Sequence, residues 1–227
     1  MGLTIHYTLK SNADSPEAAR SLLEKLHRRA RRLPFQQVLP LETHPGASAD
    51  DRGEDSLWLC SSTSIERGRT TYDVPPRHGF AFFILPGPGC EWASIGLLNY
   101  PKTIVLSDGR RTRTGQSDWS WHSFCKTQYA SNPRHGGFEN FRRCHVSLVE
   151  LFDEATGLGI QTNIHDESHY VTHRDLPRLR QELDKWNELV AGVVGQLNDS
   201  LPGPGEAPIT EFPNFEHLEA RGRSTSR

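Results

Sequence analysis

A chain of 227 residues suits one domain, or one domain with a small appendage. Its formal net charge of −2 sets up no global field favouring nucleic acid or a membrane surface, and no apolar run is long enough to cross a bilayer. With only 35% apolar residues, 19 Gly and 15 Pro, a core is expected beside much loop.

The opening residues alternate like a strand: Leu3, Ile5, Tyr7 and Leu9 fall on one face, Thr4, His6 and Thr8 on the other. They lack the basic region and apolar block of a secretion signal, so Cys60, Cys90, Cys125 and Cys144 are expected as reduced thiols in a cytoplasmic protein. Ser15-Pro16-Glu17 is a helix start, with a capping hydroxyl, a proline pre-set for the first turn and an acid at the positive end. Ala19, Leu22, Leu23, Leu26, Ala30 and Leu33 form the stripe of that helix, and Pro34 ends it. A second strand is expected over 35–41, a polar loop over 44–55 and a short strand over 56–62. A continuous apolar strand follows over 79–85, closed by the Pro86-Gly-Pro-Gly turn. Two more strands are expected at 93–98 and 103–106.

The second half reads as helical. Trp121, Phe124, Cys125 and Gln128 share one face of an expected helix that Asn132-Pro133 terminates. After Gly136-Gly137, Phe138, Phe141, His145, Leu148 and Phe152 recur at steps of three and four. A strand over 160–164 and a helix capped by Asp175 complete the domain at about residue 200. Residues 201–227 read as a Pro- and Gly-rich, flexible tail. Strand, helix, strand, then more strands, then helices predicts an α+β fold: a mostly antiparallel sheet with a ferredoxin-like βαβ start and a helical C-terminal half packed on it.

His145 sits on the apolar stripe of its helix, so its imidazole must find a buried partner, as a general base or as a core histidine. Cys125 follows Ser123 and precedes Lys126; a helix start at Ser123 would favour its thiolate. A Cys125–His145 dyad, with Asn140 or Gln128 as orienter or oxyanion donor, is therefore the catalytic candidate. Lys126, Gln128, Tyr129 and Trp121 would line a ligand pocket beside it. Asp166 or Glu167, from the polar loop carrying His165, His169 and His173, would close over it as acid or base. His122, Cys125, Cys144 and His145 have zinc-like types. However, neighbours on a helix diverge by about 100°, so Cys144 and His145 cannot both reach one ion, and no metal or other cofactor is expected. The basic run from His27 to Arg32 reads as complement to a helix C-terminus, and the Pro86–Gly89 stretch lacks the lysine of a phosphate loop.

The stretches Trp119-Ser-Trp-His-Ser-Phe-Cys-Lys-Thr-Gln-Tyr-Ala130 and Asn140-Phe-Arg-Arg-Cys-His145 resemble a family of uncharacterised bacterial proteins with a similar Leu3-Thr-Ile-His-Tyr start. The resemblance covers residues 1 to 200 and implies a bacterial, cytoplasmic setting without an activity. The resulting expectation is a small polar ligand bound at a Cys/His/Asn/Gln pocket, with thiol- or histidine-assisted hydrolysis or transfer as the chemistry. The competing expectation is a non-enzymatic immunity or regulatory protein that binds a protein partner, its polar set being a satisfied core network. Membrane association is not expected, and nucleic acid is disfavoured at this charge.

Overall fold

The computed structural model describes residues 2–44, 63–67, 70–116, 119–200 and 207–225. Strand β1 (Thr4–Ser11) has the alternation its sequence predicts, with Ile5, Tyr7 and Leu9 buried and Lys10 exposed. The Ser15 side chain accepts from the Ala18 amide at 3.2 Å and starts α1 (Pro16–Ala30), which buries Ala19, Leu23, Leu26 and Ala30. Of the expected strand over 35–41 only β2 (Gln37–Val38) is present; a further short strand, β3 (Glu42–His44), follows beyond it, with proline at position 40 between them. Most of the expected loop at 44–55 and the strand at 56–62 lie outside the described residues.

A hairpin, β4 (Thr63–Arg67) and β5 (Thr70–Val74), precedes β6 (His78–Leu85) and β7 (Ala93–Asn99), the expected apolar strands. A second hairpin of β8 (Thr103–Val105) and β9 (Arg111–Arg113) follows. The next segment corrects the sequence reading. Residues Trp119–Lys126 form a strand, β10, not a helix. Trp119, Trp121 and Cys125 alternate with exposed His122 and Phe124, a period of two that the four-residue spacing of Trp121 and Cys125 disguised. The 3₁₀ turns Gln128–Ser131 and Pro133–His135 then lead to α2 (Gly137–Gly157), whose stripe is as expected. Strand β11 (Gln161–Asp166), a short helix α3 (Tyr170–His173) and the long α4 (Leu176–Ser200) come next. Asp175 caps α4 by accepting from the Arg178 amide at 3.2 Å.

The main sheet runs β11-β1-β10-β7-β6-β2, with β3 also on β6, and each of these pairings is antiparallel. β10 and β11 flank β1 on either side, and α2 connects them, making a split β-α-β unit around the N-terminal strand. β1 and β2, joined by α1, run in the same sense with β10, β7 and β6 between them. The protein is thus α+β. α1 and α2 cover one side of the sheet: the His27 ring meets Phe82 edge-on at 4.9 Å and Phe152 lies 4.7 Å from Tyr7. Among the described residues no helix covers the opposite side of β11, β1 and β10, where His6 pairs across the strands with Phe124 and His165.

The C-terminal stretch read as a loose tail is structured over residues 207–225. A 3₁₀ turn (Pro208–Glu211) and α5 (Phe215–Thr225) fold back on α4. Ile209, Phe212 and Leu218 join Val190 and Ala191 in a second small core, against which Tyr129 and Trp186 pack. No described helix is long and apolar enough to cross a membrane.

Candidate functional site

Because residues 119–126 are extended, Cys125 and Thr127 project differently from what a helix would dictate. Thr127, not Cys125, meets His145: its hydroxyl lies 2.9 Å from Nδ1. On the other edge of the ring, Nε2 lies 3.3 Å from Asp166 Oδ2 and 3.1 Å from the Ser168 hydroxyl. Ser168 in turn donates to the Asp166 carboxylate at 2.8 Å and its amide donates to Oδ1 at 2.9 Å. A carboxylate only accepts, so Nε2 carries a hydrogen; at Nδ1 the Thr127 hydroxyl can donate or accept. Burial pushes the Asp166 carboxyl up, but His145 and the Ser168 donors outweigh it and hold it well below the usual carboxylate range. Thr127, His145 and Ser168 are fully buried and Asp166 nearly so. Of Asp166 and Glu167, either of which was expected to close over the cluster, Asp166 reaches His145 while Glu167 turns to the Thr4 amide.

Cys125 is sealed elsewhere. Its thiol donates to the Glu91 carbonyl at 3.2 Å, and it shares no hydrogen bond with His145 among the described residues. Burial, followed by the charges of Glu91 and Cys144, pushes this thiol well above its ordinary range, so it stays protonated. The geometry separates the two halves of the expected dyad. The extended backbone turns Cys125 toward the β6–β7 turn, and Thr127, two residues further on, is the one that meets His145.

Gln128 belongs to another closed set. Its carbonyl accepts from the Leu3 amide at 3.0 Å, its amide donates to Asn187 at 3.0 Å, and Asn187 donates to the Ser131 hydroxyl at 3.1 Å. Asn140 holds two carbonyls, Ala130 at 2.9 Å and Pro88 at 3.1 Å, and accepts from Arg143 at 2.8 Å. Arg143 also reaches the carbonyls of Pro34 and, at 3.1 Å, Pro86. Asn140 and Arg143 thereby clamp the β6–β7 turn on the start of α2. Trp121 is buried and donates to the Ser94 carbonyl at 2.8 Å, and Glu167 accepts from the Thr4 amide at 2.8 Å. Among the described residues no buried side-chain nitrogen or oxygen lacks a partner, and no group of three or more His, Cys, Asp or Glu residues could hold a metal ion.

Two expected ligand residues do face open space. Lys126 and Tyr129 line a cleft of ≈ 370 Å³ between the 89–91 turn and the C-terminal 208–212 segment. The Lys126 ammonium sits 5.5 Å from the Tyr129 ring centre. Glu91, His135, Glu211 and Phe212 complete the polar and aromatic lining, with Cys90 also exposed to the cleft. Glu91 accepts from the Lys126 amide at 3.2 Å, which anchors one oxygen. Burial, and then the Glu91 charge, raise the Tyr129 hydroxyl above its ordinary range and keep it a donor. Gly89 makes the shape possible: it has φ +80, and a Cβ there would come within 2.4 Å of the Tyr129 carbonyl. Sequence reasoning missed Glu91, His135, Glu211 and Phe212 because they come from three loops with no shared periodicity; the available signal was the Pro-Gly-Pro-Gly turn beside Cys90. A larger cleft of ≈ 470 Å³, bordered by Asp14, Arg77 and Lys102, contains none of the expected site residues. No family model, curated protein or solved structure matches the chain.

Proposed function

We propose that the protein binds a small zwitterionic molecule, of amino-acid or dipeptide size, in the Lys126–Tyr129 cleft. The observation carrying this reading is the convergence of both charge signs within one ≈ 370 Å³ space: Lys126 and His135 against Glu91 and Glu211, between the rings of Tyr129 and Phe212. Lys126 would take the ligand carboxylate, the glutamates its ammonium, and the rings its apolar part. The Thr127–His145–Asp166–Ser168 and Gln128–Asn187–Ser131 networks support binding indirectly, by fixing the backbone on which Lys126 and Tyr129 stand. The reading is binding rather than hydrolysis, since Cys125 and His145 are each sealed with other partners. The reduced-thiol pattern keeps the cytoplasm as the proposed compartment.

A thermal-shift titration with amino acids and dipeptides, against matched simple amines and carboxylates, tests it. At about 100 times Kd a ligand adds about 2.7 kcal/mol of stability, a rise in Tm of several degrees. Glu91→Gln and Lys126→Met should each weaken the response about tenfold or more, while His122→Ala on the open sheet face should leave it unchanged. Equal response to amines, carboxylates and zwitterions, or none at all, would sink the reading.

A second reading, docking of a protein partner, rests on a different observation. Phe124 is 51% exposed on the open sheet face and lies 5.8 Å from His6. Phe124→Asp would abolish such docking and leave the zwitterion response intact.

A further inference from the structure

The cleft of ≈ 470 Å³ bordered by Arg77 and Lys102 shares no lining residue with the Lys126–Tyr129 cleft. It opens where four strands end together. Ser11, Trp119, Asn99 and His78 are the terminal residues of β1, β10, β7 and β6, and they are successive register partners, so they form one row across the sheet. Directly opposed residues of an antiparallel pair project to the same face. Ser11 shares the parity of Tyr7, whose ring meets Phe152, so the row lies on the face that α1 and α2 cover. The segment leading from β1 into α1 walls it on one side. Arg77 and Lys102 stand on pinned backbone: the Arg77 amide donates to the Asn99 carbonyl at 2.7 Å, and the Lys102 carbonyl accepts from the Thr114 amide at 3.0 Å. Among the described residues, the side chains of Arg77, Lys102 and His78 have no hydrogen bond or ion pair, whereas Arg20 and Arg174 spend theirs on Glu24 and Asp153. Asp14 is the acid of the lining, facing two permanent cations and an imidazole. Ser11 is buried and accepts from the Ala13 amide at 3.2 Å, while its own hydroxyl hydrogen has no acceptor among the described residues. A cleft that gathers uncompensated cations around an unspent donor suits an anion.

We propose that this cleft binds the phosphate ester of a small polyol, of sugar-phosphate size. The Arg77 guanidinium takes two phosphate oxygens as a fork, and the Lys102 ammonium neutralises the remaining charge. The Ser11 hydroxyl and the side-chain amides of Asn12 and Asn99, all in the lining, serve the hydroxyl groups of the ester. The aromatic residue of the row argues against a nucleotide. Trp119 is 4% exposed and stacks on Phe80 with ring centres 6.0 Å apart, so it offers no open face to a base. Polar donors beside cations, without an open ring, match a hydroxylated ligand with one phosphate. This site stands whether or not the other cleft takes a zwitterion.

The test is isothermal titration calorimetry on the full chain at low ionic strength, with ribose 5-phosphate, ribose and inorganic phosphate as titrants. The expected result is saturable binding of ribose 5-phosphate, binding of inorganic phosphate about tenfold weaker or more, and no binding of ribose. Arg77→Met and Lys102→Met should each weaken ribose 5-phosphate about tenfold or more, because each removes a charge-assisted contact. Lys25→Met, which removes an exposed cation of α1 outside the cleft, should leave the affinity unchanged. Arg77 and Lys102 are both exposed, so an unchanged Tm is expected in their variants and separates lost binding from lost folding. The proposal is overturned by the absence of saturable ribose 5-phosphate binding, by equal affinity for inorganic phosphate, or by affinity that survives both substitutions together.

Discussion

Asp166 is the residue on which the buried seam turns, because among the described residues it is the carboxylate that touches His145, and both side chains are buried. Its folded-state pKa is depressed, so its contribution to stability is present above the unfolded carboxylate range, about 3.9, and is lost as pH falls through that range toward the folded value. The urea midpoint should therefore drop as pH goes from about 5 to 3, and Asp166→Asn should flatten that drop. At neutral pH the same substitution should cost about 2–4 kcal/mol, because it leaves the imidazole and the Ser168 donors with a weaker partner. An unchanged acid limb in the variant would assign acid sensitivity to other carboxylates. His145 and Asp166 were legible in the sequence through different signals: the stripe of α2 for one, a polar loop after a strand for the other. Thr127 was not, since its role depends on the extended backbone of β10.

At the level of elements, β10 shows why periodicity misleads near tryptophan and histidine. Two bulky aromatic residues, a cysteine and a glutamine at helical spacing satisfied a helix template, yet Trp121 and Cys125 also share a parity. The arbiter was tertiary: β1 offered eight consecutive partners, from Thr4↔Lys126 to Ser11↔Trp119. Next to it, Gly96 admits the Trp121 ring, since a Cβ there would lie 2.6 Å from Cε3. Gly96→Ala should cost about 1–3 kcal/mol and shift tryptophan emission. The C-terminal segment was misread for a related reason. Gly222, counted into the Pro- and Gly-rich tail, instead meets Gly192 so that α4 and α5 touch backbone to backbone: a Cβ on Gly222 would sit 2.0 Å from the Glu188 carbonyl oxygen. Gly222→Val should detach α5, detected as faster trimming of the C-terminus in limited proteolysis with little change in the digestion of β1. Helix starts, by contrast, were readable from single residues, because Ser15 and Asp175 act through neighbours three positions along.

For the whole molecule, the cleft exists only because the chain's last segment returns to the sheet. Pro208, Glu211 and Phe212 form one wall, and the 89–91 turn and Lys126 the other. Ending the chain at residue 206 should expose Tyr129, Trp186, Val190 and Ala191, raise binding of an apolar dye, and abolish the zwitterion-induced rise in Tm. If the truncated protein still responded to zwitterions, the binding site would lie elsewhere.

The place of β1 in the middle of the sheet also sets an order of events. Ile5 pairs with Cys125 and Asp166, residues 120 and 161 positions further along the chain. During synthesis the first strand, with Leu3, Ile5, Tyr7 and Leu9 all destined for the core, has no partner on either edge until most of the protein has emerged. Its pairing closes a long loop, so the sheet centre should be the last part to gain protection in pulsed hydrogen exchange, after α4 and the β6–β7 hairpin. The nascent β1 is thus the segment most in need of a chaperone's cover, although it becomes one of the best-buried strands of the finished fold.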